Sequence, residues 1–147
     1  MAELIRLACE GAEALSDAHQ LFIDLPAEPI VVSGDSVLLR IVLMNLLLNA
    51  FKFSPAGSSV TVRLVRLDAH CRITVEDQGP GVPEKDRTVV FQKYRRGGAA
   101  ERMPGAGLGL AIVKSIVDLH HGSAHVETAP GGGALFVVEL PCKPTSA

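Results

Sequence analysis

The segment from Val37 to Phe53 constrains this 147-residue chain more than any other, because it is apolar nearly all the way round a helical wheel. A helix without a polar face has to be buried on most sides, so the rest of the chain must supply layers to cover it. Asp35 stands where an N-cap belongs, and Pro55 with Gly57 closes the segment. Between Arg40 and Lys52 lie only 11 residues, Asn45 among them. That is short of the roughly 20 apolar residues a bilayer crossing needs, so no membrane segment is expected. At this length one core can bury roughly 68–70% of the unfolded surface, and a single domain over residues 1–147 is the expectation.

The covering layers can be read from periodicity. Residues 3–17 carry Leu4, Ala8, Ala12 and Leu15 at helical spacing. Leu21 to Leu25 and Ile30 to Val32, bounded by Pro26 and Pro29, read as strands around a turn. Alternation over 60–67 and 71–77, with Asp68 and Ala69 between, predicts a hairpin. A second helix is expected from Leu108 to about His120 with Gly122 as its stop, then strands at Ser123–Thr128 and Ala134–Leu140 joined through Pro130 and three glycines. The combination predicts an α+β two-layer sandwich, a mixed sheet covered by helices on one face. From Gln78 to Gly105 the pattern is lost, over a stretch longer than the roughly 12–15 residues beyond which an irregular loop is usually functional or mobile.

Composition narrows the function classes. A net charge of −2 offers no electrostatic case for a nucleic-acid partner. Cys9, Cys71 and Cys142 are odd in number and scattered, which argues against a disulfide framework or a zinc site. The start, MAELIRLACEG, breaks any signal-like apolar run with Glu3 and Arg6, so a cytoplasmic setting is the expectation.

Four groups of residues carry chemistry. Asn45, Asn49 and Lys52 fall within about 60° of arc on the apolar helix and make one polar stripe. Either the amides cap a neighbouring loop while Lys52 reaches solvent, or the stripe faces an anionic, metal-bearing ligand, since amide oxygens suit hard cations and Lys a phosphate. Asp77 ends a strand before Gly79 and Gly81. It is either an ordinary Asp-x-Gly turn or a carboxylate at a pocket floor accepting from an exocyclic amine, with the glycines admitting a flat ligand. Lys93, Arg95 and Arg96 beside Tyr94 are either a solvated charge run or, for Arg96, a hold on a terminal phosphate. Gly105-Ala106-Gly107-Leu108-Gly109-Leu110 misses the dinucleotide fingerprint in spacing and is preceded by loop residues; it is a glycine-rich loop opening a helix, which presents N–H groups to phosphate.

Taken in order, Asn45-x-x-x-Asn49-Ala50-x-Lys52-Phe53, Asp77-x-Gly79-x-Gly81, Phe91-x-x-Tyr94-x-Arg96, Gly105-x-Gly107-Leu108-Gly109-Leu110 and Gly131-x-Gly133-x-x-Phe136 closely resemble the N, G1, F, G2 and last glycine boxes of bacterial two-component sensor histidine kinases. The resemblance covers about residues 20–141 and implies the Bergerat (GHKL-type) ATP-binding fold with a mobile ATP lid at about 83–104. It implies ATP and Mg²⁺ as cofactors, with Asn49 on Mg²⁺, Asn45 supporting it, and Lys52 and Arg96 toward phosphate. Phe53, Asp77, Gly79, Gly81 and Val82 would form the adenine pocket. Phe91 and Tyr94 would anchor the lid, and Gly105, Gly107, Leu108, Gly109 and Leu110 would wrap the phosphates. The implied activity is transfer of the ATP γ-phosphoryl group to a His on a separate dimerisation/phosphoacceptor domain, with a response regulator downstream.

Two departures from that pattern stand out. Ala134 occupies a position where the family usually has Thr. No His of this chain is followed by an acidic residue, as a phosphoacceptor His would be. Hydrolytic relatives of the fold and anti-sigma-factor serine kinases usually place Glu four residues before the Mg²⁺ Asn; here that residue is Asn45, and an amide cannot take a proton. The serine kinase and a degenerate ATP-sensing docking module are the alternatives.

Overall fold

The computed structural model describes residues 1–92 and 108–144. In chain order these form α1 (Ala2–Leu15), β1 (Gln20–Asp24), α2 (Ser36–Phe53), β2 (Ser59–Leu67), β3 (His70–Glu76), α3 (Gly109–Leu119), β4 (Ser123–Thr128) and β5 (Ala134–Pro141). Two 3₁₀ turns, Glu84–Asp86 and Val89–Phe91, follow β3. The strands make one five-stranded sheet in the order β1-β2-β3-β5-β4, with β1 parallel to β2 and the other pairs antiparallel. This is the expected mixed sheet.

Alternation decides which face is covered. Val60, Val62 and Leu64 on β2, Cys71, Ile73 and Val75 on β3, and Phe136, Val138 and Leu140 on β5 are all buried, and they share one core with Ile5, Ala8 and Ala12 of α1, Leu46 and Leu47 of α2 and Val113 and Val117 of α3. The opposite face carries charge. Arg63 lies opposite Asp24 and Arg72 opposite Glu139 in the strand registers, and each couple closes an ion pair, at 2.8 and 2.6 Å. Their side chains are partly exposed, so each pair contributes about 1 kcal/mol or less. Val137 on this face is buried, between its register partners Thr74 and His125.

Central placement of α2 follows from its missing polar face. By length and composition it is long and apolar enough to cross a membrane, yet Leu39, Val42, Leu43, Leu46, Leu47, Ala50 and Phe51 are spent on the core. Asp35 caps it as expected, its Oδ1 accepting from the N–H groups of Val37 and Leu38 at 2.8 and 3.1 Å.

Two expectations fail. Ile30 to Val32 forms no strand. The carbonyls of this stretch go instead to other partners: Ile30 O accepts from the Met1 ammonium at 2.8 Å and Val31 O from the Lys143 N–H. Gly122 is not the left-handed residue that ends α3. His121 takes that conformation with φ 59°, and the N–H groups of His121 and Gly122 close back on Asp118 and Val117, the pattern of a Schellman stop. Gly122 is needed for room: a Cβ there would lie 2.2 Å from the Glu139 carbonyl oxygen.

Candidate functional site

Three elements converge at one end of the sheet. β3 delivers Asp77, the C-terminal half of α2 delivers Asn45, Asn49, Lys52 and Phe53, and the N-terminus of α3 approaches α2 from the side.

Asp77 is only 3% exposed. Its Oδ1 accepts two backbone hydrogen bonds, from Gly79 N–H at 2.9 Å and Ala134 N–H at 3.0 Å, and neither uses Oδ2. Burial pushes its carboxyl above the ordinary value, with the two backbone donors pulling the other way. The surrounding wall depends on missing side chains. A Cβ on Gly79 would lie 2.6 Å from the Phe53 carbonyl oxygen, one on Gly133 would lie 2.0 Å from the Asp77 carbonyl oxygen, and Gly81, at φ +75°, backs onto the carbonyl of Gly132. These contacts seat the turn after β3 between the end of α2 and the β4–β5 loop. They also bring the Phe53 carbonyl beside Gly79, two residues from Asp77.

The turn is fixed from below by residues that no motif reading singled out. Ser54, buried, accepts from the Gln78 N–H with its Oγ at 3.2 Å, and the Gln78 side-chain carbonyl accepts from both Ser59 N–H and Ser59 Oγ–H. Position in sequence gives no signal for this, since Ser54 and Gln78 meet only when α2 and β3 pack. Ala134, a departure from the family pattern, serves through its backbone: its N–H holds Asp77 Oδ1 and its carbonyl accepts from Asp77 N–H at 2.9 Å.

On α2 the expected stripe forms. Asn45 and Asn49 are half-buried and Lys52 is exposed. Asn45 donates its Nδ2 to Ile41 O at 2.9 Å, which turns Oδ1 toward α3. There a Cβ on Gly109 would lie 2.9 Å from that oxygen, so glycine at 109 is what lets the start of α3 reach the stripe. Lys52 Nζ lies 5.5 Å from the centroid of the Phe53 ring. Leu108 caps α3 with no side-chain hydrogen bond, leaving the first N–H groups of that helix to other acceptors. Leu110 packs on the core.

Val82 is half-buried, and Phe91 meets Phe136 edge-on at 6.2 Å, so the segment after the glycine turn is pinned to β5. Tyr94, Arg96, Gly105 and Gly107, with Lys93 and Arg95, lie outside the described residues. A second concavity, of about 410 Å³, lies between α1 and β1 and is lined by Arg6, Cys9, Glu10, Glu13, Ile23 and Leu25; it shares no residue with the Asp77 site.

Chemically, the site offers a buried carboxylate whose Oδ2 takes no hydrogen bond from the described residues, amide oxygens able to serve a hard cation, and a helix N-terminus whose dipole favours anions. Among the described residues no group of three or more His, Cys, Asp or Glu is placed to hold a metal, so any cation here would depend on amide oxygens and on its ligand.

Comparison with known proteins follows the same lines. Residues 34–144 match the profile of the family described as "Histidine kinase-, DNA gyrase B-, and HSP90-like ATPase". The signal transduction histidine-protein kinase/phosphatase MprB of Mycobacterium sp. (strain KMS) is 50% identical over 118 residues, covering 77% of this chain and 23% of that protein. The chain thus spans less than a quarter of that relative's length. A solved structure of the mycobacterial sensor histidine kinase MprB superposes with a TM-score of 0.87 at 35% identity, covering 97% of this chain and 95% of that one. Full-length ShkA in complex with AMPPNP superposes with a TM-score of 0.85 at 29% identity, covering 99% of this chain and 31% of that one.

Proposed function

This chain belongs to the histidine kinase-, DNA gyrase B- and HSP90-like ATPase family, on its sensor histidine kinase branch, and from that premise we propose that it is the ATP-binding catalytic module of a two-component kinase. The observation that carries the reading is the state of Asp77. Its carboxylate is buried among close-packed glycines with Oδ1 held by two backbone N–H groups, which leaves Oδ2 as the oxygen that would meet a ligand donor at the floor of an adenine slot. An exocyclic amine answers that geometry, and adenine supplies one.

The phosphate side follows from α2 and α3. The N-terminus of α3 and the Lys52 ammonium favour a polyanion. The amide oxygens of Asn49 and Asn45 would hold Mg²⁺, which when bound would supply neutralisation of the phosphate charge. Residues of this chain then act by holding the nucleotide still and shielding it. Asn45 supplies no general base for attack by water, since an amide cannot take up the proton. The nucleophile is an imidazole nitrogen of a His on a dimerisation/phosphoacceptor domain, in the same longer protein or a separate chain. It bonds to the γ-phosphorus as the bond to the β–γ bridging oxygen breaks and ADP leaves; a response regulator accepts the group afterwards.

Titrating the chain with an ATP analogue with and without Mg²⁺ tests the first half. Mg²⁺-dependent binding that falls at least about tenfold in Asn49→Ala is expected; binding indifferent to Mg²⁺ and to that change sinks the reading. For the second half, labelled ATP is mixed with the chain and a phosphoacceptor helical domain. Acid-labile, base-stable label on the helical domain is expected, and label on Ser or release of free phosphate alone counts against it.

A further inference from the structure

Arg87 belongs to no motif read from the sequence, yet it has a defined place beside the slot. It closes the first 3₁₀ turn, and its half-buried guanidinium spans two elements, Nη2 donating to Thr128 Oγ1 at 2.7 Å and Nε to the Val82 carbonyl at 3.4 Å. Thr128 ends β4 and stands in register with Ala134, whose N–H holds Asp77 Oδ1. Val82 follows Gly81, which rests on the β4–β5 loop. A closed circuit therefore runs from Asp77 through the glycine turn to Val82, across Arg87 to Thr128, and back through Ala134.

We propose that Arg87 is a positioning residue for base recognition, bracing Val82 against Thr128 and so fixing the slot in which Asp77 meets the exocyclic amine. A guanidinium suits the task because its N–H groups form a rigid fork that can serve two acceptors at once, where an ammonium on a flexible stem fixes neither direction. The inference rests on the adenine reading of the site and adds to it the residue that sets its shape.

Inosine diphosphate carries a carbonyl where ADP carries the exocyclic amine, so the ratio of the two dissociation constants reports on Asp77 and its frame. The wild-type chain is expected to prefer ADP. Arg87→Ala and Thr128→Val should each lower that preference by about five- to tenfold, the double variant no further than the larger single effect, and Arg87→Lys by less than Arg87→Ala. Equal weakening of both nucleotides, an unchanged ratio, or additive effects of the two substitutions overturns the role of Arg87. A wild-type chain that binds neither nucleotide, or does not distinguish them, overturns the adenine reading instead. Thr128→Val keeps the test open should Arg87→Ala fail to fold.

Discussion

Asp77 shows how a residue unfavourable for the fold can be the one a proposed site requires. Its folded pKa is raised by burial. The stabilising contribution of its protonated form is thus complete below the ordinary carboxylate range and is lost as the pH rises through the raised value. At neutral pH the buried charge is a cost to the empty protein. Asp77→Asn keeps an oxygen for the two backbone donors and removes the charge. The variant should therefore melt no lower than wild type at pH 7 by calorimetry, and the difference should vanish in acid, where both side chains are neutral. Adenine nucleotide affinity should fall by about 10- to 100-fold, the worth of a hydrogen bond to a charged group. A variant that melts lower but binds normally would mean Asp77 serves the turn and not a ligand. The glycines around it were visible in the sequence as a cluster, but the reason for each was not. Gly79 and Gly133 are fixed by approaching carbonyl oxygens from residues 26 and 56 positions away, and no local pattern records such an approach.

At the scale of elements, α2 and α3 are joined head to tail by His120. Its Nε2 accepts from Asp35 N–H at 3.1 Å, so that nitrogen carries no proton, and Nδ1–H donates to Ile116 O at 2.7 Å. One neutral imidazole thus connects the last turn of α3 to the N-cap of α2. Gly34 passes directly under the ring, where a Cβ would lie 2.4 Å from Cδ2. Because Asn45 and Gly109 meet further along the same helix pair, the joint helps set where the first turn of α3 lies. His120→Ala should cost about 0.5–1.5 kcal/mol in urea denaturation, the net worth of an ordinary hydrogen bond, and should raise the amide exchange rate at Asp35; an unchanged rate would mean the bond is absent in solution. The bond from Nδ1 to Ile116 lies within one helical turn. The tie of Nε2 across 85 residues to Asp35 is a tertiary fact.

The molecule as a whole buries thiols in the core it builds around α2. Burial pushes Cys9 to about 11, with Glu13 adding to it, and Cys71 to about 11, with Cys142 adding to it. Both thiols lose protons in the unfolded chain near the ordinary value of 9.0, so the stability they lend as neutral groups is complete below that pH and is lost as the pH climbs through 11. Melting temperature should accordingly drop between pH 9 and 11, and the drop should shrink in a Cys9→Ala, Cys71→Ala variant. In the native protein at pH 8 neither thiol should react with iodoacetamide until denaturant is added; prompt labelling of Cys71 would show that the sheet interior is open to solvent.

What the sequence settled alone was whatever is carried by local period and order. The all-round apolar α2 had to be central, the strand alternation marked the covered face, Asp35 marked where the helix starts, and the ordered boxes of Asn, Asp and Gly named the family. These follow from interactions within a few residues, or from patterns kept whole in the chain. The tertiary structure decided how Asp77 is held, since its two donors come from a turn and from a strand far along the chain. It decided that Ile30 to Val32 pairs with scattered groups and not with a strand, that His121 and not Gly122 turns left-handed, and that Ser54 and Arg87 bond to the turn after β3. In each case the deciding contact joins distant segments, and only packing sets their distance.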